Sequence, residues 1–69
     1  MVITLNNQSE QLDISKNFIT VQELLSLKKF TYKMLIVRVN GKTIGKERFA
    51  DAKIKDGDKV DVIHLMSGG

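Results

Sequence analysis

A single helix start, at Thr20, constrains the fold of this chain more than any other feature. Thr20 can cap the first turn, and Glu23, three residues later, can reach back to it, which together make a capping box. Ile19 and Leu24 flank this cap in the spacing of a hydrophobic staple. An apolar stripe follows the cap, and we predict one helix over about residues 21–29.

The remaining regular segments have the alternation or the β-branched content of strands. Polar turn residues follow a first strand at 1–6, and a second strand is predicted at 11–14, so that the two form a hairpin. Residues 15–18 are predicted to be a connection. The nearly continuous apolar run at 34–39 predicts a central strand, and Asn40-Gly41 after it favours a tight hairpin.

The second half of the chain continues this pattern of short strands. A short strand is predicted at 42–44, followed by an irregular segment at 45–55 with a helical turn around 46–49. Asp56-Gly57-Asp58 reads as a tight turn before the last strand at 59–66. We therefore predict an α+β domain over 1–66, a mixed sheet of four to five strands with one main helix on one face, and a flexible tail at 67–69.

Composition excludes several classes of function. The chain has no cysteine and one histidine, His64, which excludes disulfides, thiol nucleophiles, thiolate zinc sites and multi-histidine metal sites. No apolar run reaches the length of about 18 residues that a membrane helix needs, and the first residues lack the basic flank of a secretion signal. We expect a cytoplasmic protein that binds neither a metal nor a membrane.

The charged residues also argue against catalysis and against nucleic-acid binding. The net charge is +3 and the lysines are scattered among acidic residues, whereas nucleic-acid binders concentrate basic charge. Asp56 and Asp58 are more simply turn residues than a carboxylate pair, and His64 has no partner at motif spacing. At 69 residues the core is thin, and a large internal pocket is not expected. We predict no catalytic residue.

The tail Ser67-Gly68-Gly69 has its own chemical possibility. Glycine accepts any backbone angle, and three extended residues reach roughly 10 Å, so such a tail can enter a narrow channel. Its carboxylate is ionised at neutral pH and is a poor electrophile. Joined to AMP it becomes an acyl-adenylate, and attack by sulfur then gives a thiocarboxylate. Because the chain has no cysteine, Gly69 is the attachment point we predict for carried sulfur.

Three segments resemble the ThiS family of sulfur carrier proteins in thiamine biosynthesis, which have the ubiquitin-like β-grasp fold. The segment at 44–49 resembles the family's pattern of an apolar residue, proline or glycine, a basic residue, glutamate, any residue and an aromatic residue. The segment at 56–60 resembles its Asp-Gly-Asp turn, and 62–69 its apolar last strand and diglycine end. The resemblance covers the whole chain.

This resemblance implies a carrier that other enzymes act on, with no cofactor bound to the carrier itself. An E1-like (ThiF-like) adenylyltransferase would use ATP to activate the carboxyl of Gly69. A sulfur donor such as a cysteine desulfurase would supply the sulfur, and a ThiG-like thiazole synthase would receive it. Gly68 and Gly69 match the family's diglycine, whereas Ser67 departs from the more usual Ala, Gly or Gln.

Other readings of the same residues stay open. The small subunit of molybdopterin synthase, which is MoaD-like, has the same fold and sulfur chemistry. A ubiquitin-like modifier would join its end to lysines of target proteins. A plain interaction domain would use no terminal chemistry at all.

Strand alternation predicts a docking face for the partners, with the protein alone a monomer. Val37, Val39, Val60 and Val62 are predicted to face the helix and form the core. The opposite face would then be an open docking surface that contains Ile36, Arg38, Ile63 and Leu65. Met66 is also predicted to bind the partners. The alternative is that the segment at 45–55 folds over this face and buries it.

Overall fold

The computed structural model describes residues 1–30 and 34–64. The regular elements, in chain order, are β1 (Val2–Leu5), β2 (Gln8–Gln11), β3 (Phe18–Thr20), α1 (Val21–Leu27), β4 (Leu35–Val39), β5 (Lys42–Ile44), a 3-10 helix (Lys46–Arg48), β6 (Lys53–Lys55) and β7 (Lys59–His64).

Five of the strands form one mixed sheet in the order β2-β1-β7-β4-β5. β1 and β7 run parallel, and the other neighbouring pairs are antiparallel. β3 and β6 form a separate two-stranded antiparallel sheet. The α-helix α1 packs its buried residues against one face of the large sheet. The predicted α+β class, with a mixed sheet and one helix on one face, is confirmed as a β-grasp arrangement.

One apolar core lies between the helix and the large sheet. Val37, Val60 and Val62 are buried in it, as predicted, and Val39 is half-buried and packs against it. The other buried members come from β1, the helix and the smaller elements: Ile3, Leu5, Leu12, Ile19, Val21, Leu24, Leu25, Phe49 and Ile54. Among the described residues no polar side chain is buried, so that the core is uniformly apolar.

The helix begins at the predicted capping box. The Thr20 hydroxyl accepts a hydrogen bond from the Glu23 N–H at 3.1 Å, and Glu23 Oε1 accepts one from the Thr20 N–H at 3.1 Å. This hydrogen bond from the Thr20 backbone, with a smaller contribution from the nearby Lys16, lowers the pKa of Glu23, against partial desolvation that raises it. The carboxylate form that completes the box is therefore favoured at neutral pH.

The helix ends at Leu27, two residues before the predicted end. Lys28 is the C-cap and Lys29 has a positive φ of 58°. The Phe30 N–H donates to the Leu25 carbonyl at 2.8 Å, and the Lys29 N–H donates to the Ser26 carbonyl at 3.2 Å. This is a Schellman ending, which satisfies two carbonyls of the last turn. The prediction through residue 29 was wrong because lysine is an ordinary helix former, and nothing local signals its left-handed conformation.

The position of Lys29 gives a testable stability prediction. A non-glycine residue in this conformation costs roughly 1–2 kcal/mol, whereas glycine adds roughly 0.4–1 kcal/mol of unfolded-state entropy. Lys29→Gly is therefore expected to stabilise the fold by about 0.5–1 kcal/mol, measured by urea unfolding. The control Ser26→Gly, inside the helix, is expected to destabilise it. Equal destabilisation by both changes would contradict the Schellman assignment.

The first hairpin is tighter than predicted. Asn6 and Asn7 have positive φ values of 51° and 67°, as a type I′ turn requires, so two residues complete the loop and β2 starts at Gln8. The prediction of a strand at 11–14 was wrong because the apolar alternation there comes from Leu12 and Ile14, which pack against the core after β2 has ended. The Asn40-Gly41 hairpin was predicted correctly, with φ values of 52° and 84°.

The smaller sheet was not predicted. Phe18–Thr20 pairs with Lys53–Lys55, where a connection and an irregular segment were expected. Ile19 and Ile54 face each other in this pair and are fully buried, while Lys53 Nζ lies 4.6 Å from the centre of the Phe18 ring. Three-residue strands have too few positions for alternation to show. The predicted helical turn around 46–49 is present as the 3-10 helix.

Candidate docking face and carrier end

The last strand, β7, lies at the centre of the large sheet between β1 and β4. Val60 and Val62 alternate into the core, so Asp61 and Ile63 lie on the opposite face. β7 is also the strand that leads to the terminal residues. The strand at the centre of the sheet therefore contributes to the candidate docking face, and in the sequence it is the strand that precedes the predicted attachment point.

The face of the sheet away from the helix presents two cross-strand pairs. Ile36 of β4 lies opposite Ile63 of β7, and Arg38 lies opposite Asp61. Ile63 is 38% exposed and Ile36 is half-buried, which gives a small apolar contact surface beside a pair of opposite charges. We call these four residues the open face. Opposite charges directly across from each other also stabilise the pairing of the two strands.

The segment at 45–55 packs against the helix and the core, on the side of the large sheet away from the open face. The Phe49 carbonyl accepts from the Gln22 N–H, and the Ala52 carbonyl accepts from the Val21 N–H, both at 2.9 Å. Phe49 and Ile54 are both buried in the core. The alternative in which this segment folds over the open face is therefore wrong.

The Asp56-Gly57-Asp58 turn holds three parts of the chain together. Asp56 Oδ1 accepts from the Val2 N–H at 2.6 Å. Asp58 Oδ2 accepts from the Lys55 N–H at 2.8 Å, and its Oδ1 accepts from Asn40 Nδ2 at 3.1 Å. Each carboxylate thus has backbone or side-chain donors of its own. This geometry supports the interpretation as a turn and not as a catalytic carboxylate pair.

His64 lies exposed at the end of β7, opposite Leu35 of β4. In residues 1–30 and 34–64, no group of three or more His, Cys, Asp or Glu side chains could hold a metal ion. Within the same residues, no helix has the length and apolar character needed to cross a membrane.

Five of the predicted site residues lie outside the described part of the chain: Leu65, Met66, Ser67, Gly68 and Gly69. The predicted end of the last strand at 66 and the predicted tail at 67–69 lie there as well.

Two kinds of residue that contribute to the open face or to the hydrogen bonding of β7 were not identified from the sequence. Asp61 belongs to the open face, and its place in the alternation with Ile63 could have revealed it. Asn6 and Asn40 contact β7 through their side chains, at Val62 and Lys59 respectively. Their only local signal is an asparagine in the first position of a tight hairpin.

Comparison with known proteins agrees with this geometry. The family model described as the ThiS family matches residues 2–69. The sulfur carrier protein ThiS of Bacillus subtilis (strain 168) is 36% identical over 50 residues, which cover 72% of this chain and 76% of that protein.

Two solved structures are also similar to this chain. The crystal structure of the thiamine biosynthesis protein ThiS from Geobacter metallireducens matches with a TM-score of 0.87 and 33% identity, and covers 100% of both chains. The solution NMR structure of a thiamine biosynthesis protein from the same organism matches with a TM-score of 0.81 and 33% identity, over 100% of this chain and 88% of that one. From the fold, the near-complete family match and these relatives, this chain belongs to the ThiS family.

Proposed function

We propose that this protein is a sulfur carrier of thiamine biosynthesis and that it carries sulfur as a thiocarboxylate on Gly69. The observation that supports this most strongly is the ThiS family match, which extends through residue 69 and so includes Gly68-Gly69. The Bacillus subtilis relative is itself a sulfur carrier protein by name. The family match favours the thiamine pathway over molybdopterin synthesis and over a role as a protein modifier.

The chemistry of loading requires activation of the carboxyl before sulfur can bind. A carboxylate oxygen of Gly69 attacks the α-phosphorus of ATP, pyrophosphate leaves, and an acyl-adenylate forms. Hydrosulfide (HS⁻) then attacks the carbonyl carbon, and AMP leaves. Where the donor is a protein persulfide, its terminal sulfur attacks instead, AMP leaves, and a thiol reductant cleaves the resulting acyl disulfide to release the sulfur on Gly69. The product is a thiocarboxylate, in which one oxygen of the original carboxyl group has been replaced by sulfur.

The partners supply the catalytic groups in this proposal. An E1-like adenylyltransferase binds ATP and activates Gly69, a cysteine desulfurase supplies sulfur, and thiazole synthase receives it. The carrier contributes a folded body that docks through the open face and a chain end that enters the partner's site. Since the adenylation consumes ATP, we place the carrier in the cytoplasm.

The decisive test is the intact mass of the purified protein after incubation with ATP, a cognate adenylyltransferase and a sulfur donor. We expect a mass gain equal to one sulfur in exchange for one oxygen, because loading replaces a single atom. A parallel reaction without ATP is the control and is expected to leave the mass unchanged. An unchanged mass in the complete reaction would contradict the sulfur-carrier role.

A separate observation distinguishes the carrier from a protein modifier. A modifier would form conjugates of higher mass in cell extract that contain the whole chain. We expect no such conjugates here, because the proposed acceptor of the activated carboxyl is sulfur and not a lysine of a target protein.

A further inference from the structure

Asn6 makes two hydrogen bonds to β7 from the turn that follows β1. Its backbone N–H donates to the Val60 carbonyl at 2.9 Å, and its side-chain Oδ1 accepts from the Val62 N–H at 2.8 Å. The side-chain bond is partly buried and joins residues 56 positions apart in sequence. Asn6 therefore links the turn to β7 on both sides of Asp61.

The side-chain bond occupies the place of a missing backbone bond. In a parallel pair, a residue that donates to one carbonyl of its neighbour normally accepts, through its own carbonyl, from the N–H two residues further along. Asn6 keeps the first bond, but its φ of 51°, which the type I′ turn requires, lies outside the extended conformation that this ladder geometry needs. The amide oxygen of its side chain accepts from Val62 instead.

The other tight hairpin uses the same arrangement on the opposite side of β7. Asn40 has a φ of 52°, its N–H donates to the Lys59 carbonyl at 2.7 Å, and its Oδ1 accepts from the Lys59 N–H at 2.9 Å. An antiparallel pair would normally complete this exchange with the Asn40 carbonyl. Two independent hairpins thus extend the ladders of β7 with an asparagine side chain.

The two asparagines act at different ends of β7. Asn40 binds at Lys59, where the strand begins. Asn6 binds at Val62, beyond the point where β1 ends, because the last residue of β1, Leu5, is paired with Val60. β7 therefore continues beyond the end of its parallel neighbour β1. The side chain of Asn6 extends the hydrogen bonding between the two segments as far as Val62.

We propose that Asn6 is a positioning residue for the delivery of the Gly69 carboxyl to the partner enzymes. This role rests on the proposed function. Val62 precedes Gly69 by seven residues in the sequence, and β7 is the strand from which the chain continues toward Gly69. One edge of β7 is paired with β4 as far as His64, and on the other edge the Asn6 side chain binds Val62. With Asn6 in place both edges of β7 are ordered at Val62 before a partner binds, which lowers the ordering that the partner must impose.

The test compares Asn6→Gly with Asn7→Gly. Both changes fall at positive-φ positions of the same turn, which glycine accepts, but only Asn6 has a side-chain bond to β7. In Asn6→Gly we expect amide hydrogen exchange at Val62 to be about fivefold faster, the effect of one hydrogen bond worth about 1 kcal/mol. Exchange at Ile54, in the smaller sheet, serves as the internal reference for global unfolding.

The loading reaction provides the second readout. With the adenylyltransferase, we expect Asn6→Gly to raise KM for the carrier about fivefold and to leave kcat unchanged, because the bound geometry is the same once the strand is ordered. Asn7→Gly is expected to match the natural protein in both readouts. Asn6→Asp keeps an acceptor oxygen and tolerates the left-handed conformation, so it is expected to restore both values.

The possible outcomes distinguish the sulfur-carrier function from the positioning role of Asn6. Failure of the natural protein to load would overturn the proposed function, and the delivery role with it. Normal loading of the natural protein with an unchanged KM in Asn6→Gly would overturn the positioning role alone. An equal rise in KM for Asn7→Gly, or no recovery in Asn6→Asp, would also overturn it, since either result would assign the effect to the turn and not to the side-chain bond.

Discussion

Removing Gly69 is expected to abolish sulfur loading and to leave the melting temperature unchanged. Loading should fall to the level of the reaction without ATP, because the remaining chain ends on a carboxyl that lies one residue short of the proposed site of adenylation. Among the residues that the structure describes, the last buried one is Val62, seven positions before Gly69, so we expect the fold not to depend on the last residue. Intact mass measures the loading, and thermal denaturation followed by circular dichroism measures the stability.

A control for this deletion keeps the length and the diglycine while changing the neighbouring side chain. Ser67→Ala is expected to load as the natural protein does. Alanine is as small as serine and is one of the residues that the ThiS family usually has at this position. Acceptance of AMP by the protein that lacks Gly69 would contradict the assignment of this carboxyl as the carrier group.

The parts of the fold that were predicted correctly depend on local chemistry. The capping box at Thr20 and Glu23 needs only residues three apart, and the Asn40-Gly41 hairpin needs only two residues that tolerate positive φ. The strand predicted at 34–39 was also found from its own β-branched composition; it runs from Leu35 to Val39 and lies beside β7, which occupies the centre of the sheet. In each case the interaction that forms the structure lies within a few residues of the signal.

The parts that were missed depend on contacts between distant segments. β2 is a polar strand that forms because Asn6 and Asn7 close a two-residue turn, and not because its own side chains alternate. The pairing of Phe18–Thr20 with Lys53–Lys55 joins two three-residue strands from opposite halves of the chain. Neither strand has a pattern that is visible without its partner.

The candidate site also has one part that could be predicted from local sequence and one part that could not. Alternation alone placed Ile36 and Ile63 on the face opposite Val37 and Val62, and the register confirms that placement. The contact between Asn6 and Val62 could not be predicted, because it depends on how far β7 extends past β1 in the folded sheet. Sequence patterns predict which face a residue occupies more readily than they predict register.

Ile63→Asp is expected to weaken the complex with the adenylyltransferase about 30-fold while the protein remains folded. Ile63 and Ile36 form the apolar part of the open face, and a carboxylate at this position would have to be desolvated against the partner. A central interface residue contributes about 2 kcal/mol or more, which corresponds to this change in Kd. Isothermal titration calorimetry measures the Kd directly.

The cost to folding is expected to be much smaller, because Ile63 is already 38% exposed and its face lies away from the core. The change from isoleucine to aspartate within a strand costs about 1 kcal/mol. Leu27→Asp is the matched control: Leu27 is 51% exposed on the helix, on the other side of the sheet, and its change is expected to leave the Kd unaltered. Equal weakening by both variants would indicate a general effect of charge, whereas unfolding of Ile63→Asp would show that Ile63 belongs to the core and not to the docking face.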